Sequence, residues 1–185
     1  MNMEIVKNLS QSKILRNVFI AIIGTLLLAL SSKIKIPFYP VPMTMQTFIV
    51  LIIGVVFGWK LGLATVTLYL FEGLIGIPVF SGTPEKGIGI VYFTGPTMGY
   101  LIGFVVTVFI AGKFNYSKNL IINFLKLSFA VSFIYLLGIL WLGFLIGWEK
   151  PLFKLGAQPF LLAELFKVLL AAAIAGLTIN IRRKF

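Results

Sequence analysis

The chain has 185 residues, 59% of them hydrophobic and only 11% charged. Soluble domains carry about 25% charged residues, so a water-soluble globule is excluded and the natural solvent is a lipid bilayer. Sixteen basic residues against five acidic ones give a formal net charge of +11, and His, Cys and Asp are absent. These absences remove the usual zinc sites, thiolate nucleophiles and Ser-His-Asp triads, and no Walker phosphate loop is present to hold ATP.

Six apolar segments follow in chain order, each judged against the roughly 20 residues that a bilayer-spanning helix needs. They run over 15–30, 43–57, 61–77, 95–111, 120–148 and 160–181. The first follows Lys13 and Arg16. Its loop, from Lys33 to Pro42, leads into further apolar sequence, so it reads as a hairpin rather than as the junction after a signal sequence cleaved at Ala29-Leu30-Ser31. The second is short and is divided from the third by Gly58-Trp59-Lys60, while Pro78 closes the third. Gly95-Pro96 places a proline in the first turn of the fourth. The fifth is long enough to tilt, and the sixth stops at Arg182-Arg183-Lys184. No repeat or linker divides the chain, so residues 1–185 form one domain. The expected fold is all-α: an integral membrane protein with six transmembrane helices.

Charge sets the expected orientation. The N-terminus, the turn at Lys60, the loop near Lys113 and Lys118 (with Lys126) and the C-terminus together hold ten basic residues and Glu4. The other side holds Lys33, Lys35, Lys86, Lys150, Lys154 and Lys167 with the remaining four glutamates. The excess of Lys and Arg puts both termini in the cytoplasm. The net charge thus reads as an orientation signal in a multi-pass protein of the bacterial cell membrane, with the bilayer as partner and no nucleic acid.

Four features carry candidate chemistry. In the sixth segment Glu164 and Lys167 stand at i and i+3, on one helix face. Ionised residues in a span cost about 2.5–3.5 kcal/mol each at the helix centre. They are either a self-satisfied pair with a snorkelling lysine or an anchor for a ligand with donors and acceptors. The loop before the second segment holds Pro37, Pro40 and Pro42 around Phe38 and Tyr39, and Gln46 follows with a donor and an acceptor. It reads as an interfacial turn or as a semi-rigid flap over a pocket. Gly95, Gly99 and Gly103 make a small-residue stripe suited to close helix packing, beside which Tyr92 and Tyr100 offer rings for stacking. Ala21, Thr25 and Ala29 repeat that spacing in the first segment, for packing within the chain or for docking another membrane subunit. Glu72 is expected at the interface or paired with a loop lysine.

Taken in order, four blocks make the sequence similar to the BioY family, the biotin-specific substrate-binding (S) components of energy-coupling factor (ECF) transporters. They are Ile36-Pro37 with the run from Pro40 to Thr47; Gly73 with Gly76-Ile77-Pro78-Val79-Phe80; Gly95-Pro96-Thr97 with Gly99-Tyr100; and Pro159-Phe160 with Glu164 and Lys167. Together they cover roughly 21–175. The resemblance implies a six-helix protein that captures biotin on the outer face and joins a transmembrane coupling protein and two ATPases. It is no enzyme, and biotin is its transported ligand rather than a cofactor. Glu164 and Lys167 are then ligand residues, with Glu164 standing where the family usually has aspartate. Ser81 is carried over as a ligand contact, and Gln46, Phe38, Tyr92 and Tyr100 complete the expected pocket. The Pro-rich loop and residues 81–86 are expected to close over the ligand. A solitary carrier without ATPases, or the same scaffold serving another vitamin, stays open at this point.

Overall fold

A computed structural model describes residues 3–85 and 87–178, with side chains from Ser12 onward. The side chains of Glu4 and Lys7, the whole of Lys86 and the stretch 179–185, on which part of the expected charge pattern rests, lie outside the described residues. The order is α1 (Met3–Lys33), β1 (Lys35–Ile36), β2 (Met43–Thr44), α2 (Gln46–Leu74), α3 (Ile90–Phe93), α4 (Met98–Lys113), α5 (Leu120–Ile146), α6 (Leu152–Gly156), a 3-10 turn (Gln158–Phe160) and α7 (Leu161–Leu177).

Second and third segments join in α2, which is broken at Gly58 with φ 73° and ψ 179°. Only glycine reaches that conformation readily. Residues equidistant from the break meet: Gln46 donates to Tyr69 at 2.7 Å, and Gly62 faces Ile53. The arms 46–57 and 59–74 therefore run antiparallel. The turn between them lies against Gly112, where a Cβ would come within 2.5 Å of the Trp59 backbone. The reversal in α2 and the last turn of α4 thus share one end of the bundle.

Helix α4 packs most extensively of all on α2 and almost as closely on α5. Gly99 and Gly103 make the second contact possible, since a Cβ at either would strike the α5 backbone at Leu137 or Ile134. Two of the three stripe glycines, Gly99 and Gly103, are therefore taken up by packing against α5. Asn119 caps α5 by accepting from the N–H groups of Ile121 (2.9 Å) and Ile122 (3.2 Å), which supplies partners that the first helical turn lacks. Gly147, with φ 97°, ends it. Hydroxyls within the helices bond to carbonyls of their own turns, Thr25 to Ile22 and Thr65 to Leu61, as is required where water is absent.

The outside is apolar. Leu15, Phe19 and Leu26 on α1, Phe129 and Phe144 on α5, and Leu162 and Phe166 on α7 are all exposed, a continuous surface that suits lipid and not water. Four helical stretches are long and apolar enough to cross a membrane, Ser12–Lys33, Gln46–Leu74, Leu120–Ile146 and Leu152–Leu177, and Met98–Lys113 is a shorter apolar helix.

Several expectations shift. Helix α4 begins at Met98, so Gly95-Pro96 lies in the preceding turn and not in the helix. The Pro-rich loop carries a short antiparallel ladder, with Lys35 opposite Thr44 and Ile36 opposite Met43. On α1, Gly24 lets Thr65 and Phe57 approach closely, and this turns Ala21 and Thr25 into the chain, 7% and 2% exposed. The stripe therefore packs intramolecularly, and of its three members only Ala29 is half-exposed. Glu72 makes no ion pair among the described residues.

Candidate ligand-binding site

At the end of the bundle opposite Gly58, a narrow cavity of about 50 Å³ lies between the loops and helices α2, α4, α5 and α7. Phe80, Tyr92, Tyr100, Phe104, Tyr135 and Phe160 wall it with rings, and Gln46, Thr47, Ser81, Thr97 and Lys167 supply polar atoms.

On the α7 side the chemistry is charged and dense, with Glu164 Oε2 heavily bonded and Glu164 Oε1 buried without a hydrogen-bond partner. Lys167 Nζ donates to the Thr44 carbonyl (2.6 Å), Thr47 Oγ1 (3.1 Å) and Glu164 Oε2 (3.3 Å), which uses all three of its protons. Glu164 Oε2 also accepts from Thr47 Oγ1 (2.9 Å) and Tyr135 Oη (2.8 Å). Both residues are buried. A buried ion pair survives only when its geometry is good and further hydrogen bonds complete it, and here Thr44, Thr47 and Tyr135 do so. Helix α7 brings Glu164 and Lys167 together, while the start of α2 supplies Thr47. The helix position helps too, since Glu164 lies in the first turn of α7, where the macrodipole favours an anion.

The loop side is neutral. Residues 78–83 are strapped down by Tyr69 and Ser32, which both donate to the Val79 carbonyl (2.9 and 2.8 Å), and by Lys33, which donates to the carbonyls of Pro78 (2.9 Å) and Phe80 (3.0 Å). Phe80 stacks on Tyr92 with ring centroids 4.8 Å apart and meets Tyr69 edge-on. A Cβ on Gly73 would fall 2.1 Å from the Phe80 ring, so glycine at that position is what admits the ring. Tyr92 Oη donates to the Ser81 carbonyl at 2.8 Å. Burial pushes its phenol above the ordinary value, with the Thr97 hydroxyl pulling the other way, so it remains a neutral donor. Ser81 Oγ is buried, borders the cavity and has no hydrogen-bond partner.

Of the residues expected at the site, Gln46, Ser81, Tyr92, Tyr100 and Lys167 line this cavity. Glu164 stands behind it, facing a crevice between α5 and α7, so it orients Lys167, Thr47 and Tyr135 and does not border the cavity. Phe38 is one layer back and packs edge-on against Phe160, with centroids 5.7 Å apart. Tyr100 is fixed by a bond to the Gly156 carbonyl (2.8 Å) and by Gly138, which leaves room for its ring. Tyr69, Thr47, Phe80 and Tyr135 escaped the sequence reading as site residues. Tyr135, a hydroxyl inside a long apolar run, and Tyr69, placed opposite Gln46 about Gly58, were the available signals.

An apolar bundle with an aromatic cavity, lined by one cation and several neutral hydrogen-bonding groups, marks a membrane protein with a pocket suited to a small organic ligand. The comparisons place it more narrowly. Residues 3–184 match the BioY family, and the chain belongs to that family. It is 37% identical to the probable biotin transporter BioY of Pyrococcus horikoshii, over 80% of this chain and 87% of that one. With the biotin transporter BioY of Thermotoga maritima it shares 35% identity, over 87% and 94%. Among solved structures it resembles the S-component for biotin from an ECF-type ABC transporter, with a TM-score of 0.75 at 25% identity, over 91% of this chain and 93% of that one. These relatives are named as transporters, not enzymes.

Proposed function

We propose that this chain is the biotin-capturing S component of an ATP-driven vitamin importer. The observation that carries the reading is the cavity, in which Lys167 is held by Thr44, Thr47 and Glu164 among aromatic walls, in a chain of the BioY family. Biotin has a bicyclic head, a planar ureido ring cis-fused to a saturated thioether ring, and a carboxylate tail. Rings such as Tyr92 and Phe160 suit the head, Lys167 supplies the cation, and Gln46 and Ser81 supply neutral hydrogen bonds. Glu164 is the positioning residue. Its extra methylene, relative to the family's usual aspartate, accompanies a carboxylate engaged by Thr47 and Tyr135.

The chain crosses the membrane six times with both termini in the cytoplasm. The antiparallel arms of α2 support that count. The arms span about 18 and 24 Å at 1.5 Å per residue, and a locally thinned bilayer accommodates such short crossings. With this orientation the cavity opens outward, and the Pro-rich loop and residues 81–86 cover it. A coupling protein docks along α1, with Ala29 at the border of the contact, and two ATPases power release inward.

Equilibrium dialysis with labelled biotin against thiamine and riboflavin tests the ligand: only biotin is expected to be retained at micromolar concentration. Liposomes that hold this chain alone test the division of labour. No accumulation is expected without the coupling protein and ATPases, and repeated turnover by the lone chain would refute it.

A further inference from the structure

The end of the bundle opposite the cavity carries a cluster that ligand capture does not use. Trp59, at the turn of α2, is 39% exposed. Lys60 Nζ lies 5.4 Å from its ring centroid, and Lys113 Nζ, from the last turn of α4, lies 5.6 Å away. Lys113 also sits 4.6 Å over the Phe109 ring. Backbone packing fixes the arrangement, because Gly112 brings the end of α4 against Trp59. Two ammonium groups thus converge on one indole. Neither has a carboxylate partner among the described residues, whose only ion pair is Lys167 with Glu164 at the other end. Beside this cluster an apolar groove runs between α1 and the 59–74 arm, bordered by Lys60 and Asn17 at one end and by Leu61, Ala64 and Leu68 along its length.

We infer that this is a binding site for an anionic phospholipid, with its phosphate on Lys60 and Lys113 and an acyl chain in the groove. Charge complementarity selects an anion, since two cations stand without a countercharge among the described residues where an indole marks the headgroup level. Continuity with an apolar groove selects a lipid over free phosphate. The site lies at the opposite end from the cavity and does not depend on the identity of its ligand.

Native mass spectrometry of the full chain released from detergent micelles tests this, with phosphatidylglycerol, phosphatidylcholine of the same acyl chains and inorganic phosphate as probes. Wild type is expected to retain one phosphatidylglycerol at least fivefold more readily than phosphatidylcholine. The double variant Lys60→Gln/Lys113→Gln is expected to lose that preference, and Ala64→Trp, which fills the groove, to lose the lipid with the lysines intact. Retained biotin binding by the variants would show that they fold. Equal retention of both lipids would reduce the site to ordinary boundary lipid, and equal occupancy by inorganic phosphate would leave an anion site without a lipid. Either result, or no adduct at all, overturns the inference.

Discussion

The two walls of the cavity solve the same problem in opposite ways. On the α7 wall a cation and a carboxylate are buried, and every proton of Lys167 is committed before any ligand arrives. On the loop wall no charged side chain lines the cavity, the backbone of 78–83 is tied from behind by Tyr69, Ser32 and the Lys33 ammonium, and one hydroxyl, Ser81 Oγ, is buried without a partner. The charged wall is thus pre-organised at a desolvation cost that its hydrogen bonds offset. The neutral wall keeps an unmet hydroxyl, Ser81 Oγ, at the edge of the cavity, while the unpaired atom of the charged wall, Glu164 Oε1, belongs to a residue that does not line it. On the proposed function, a ligand is expected to gain orientation from the first and a new bond from the second.

The contrast ranks the effects of substitution. Lys167→Ala removes the cation and strands Glu164 in a buried site. It is expected to weaken biotin binding well beyond tenfold and to lower stability by about 3–5 kcal/mol, the range for breaking a buried pair, as read by titration and by thermal unfolding. Glu164→Gln keeps an acceptor for Thr47 and Tyr135 but leaves Lys167 without its countercharge. Binding is expected to fall about tenfold, or about 1.4 kcal/mol, with a smaller loss of stability than Lys167→Ala. If Glu164→Gln binds like wild type, the carboxylate does not position the lysine.

The loop wall should be more forgiving. Gly73→Ala drives a Cβ into the Phe80 ring and is expected to cost about 1–3 kcal/mol of stability through overpacking, with binding weakened several-fold as the strap shifts. Ser81→Ala is the mildest. Because its hydroxyl is unpaired in the free protein, unfolding should barely change, while binding drops by about 1 kcal/mol, roughly fivefold. Should Ser81→Ala instead destabilise the free protein and spare binding, the division between the two walls fails.

Much of this was legible in the sequence where the signal was local. Gly58-Trp59-Lys60 marked the reversal between two apolar runs, and the spacing of Glu164 and Lys167 put both on one face of α7. Gln46, Tyr92, Tyr100 and Ser81, singled out in the sequence, line one cavity. What escaped depends on pairings distant in the chain. Thr47 meets Glu164 across 117 positions and Tyr135 meets it across 29, and no local pattern specifies either. For the same reason the inward turn of Ala21 and Thr25 could not be told from a docking face: small residues at four-residue spacing suit any close neighbour, and only Gly24 against Thr65 decides which one they meet. Glu164 shows the limit best. Spacing put it beside Lys167, but only the fold shows its carboxylate bonded to Thr47 and Tyr135, on a residue that does not line the cavity.

Calorimetric titration of biotin into the purified wild type and into Lys167→Ala tests the central claim most directly. Saturable one-to-one binding of wild type below micromolar concentration, lost by more than tenfold in the variant, is the predicted result. Absence of binding by wild type at micromolar biotin, or equal affinity in both proteins, would contradict it.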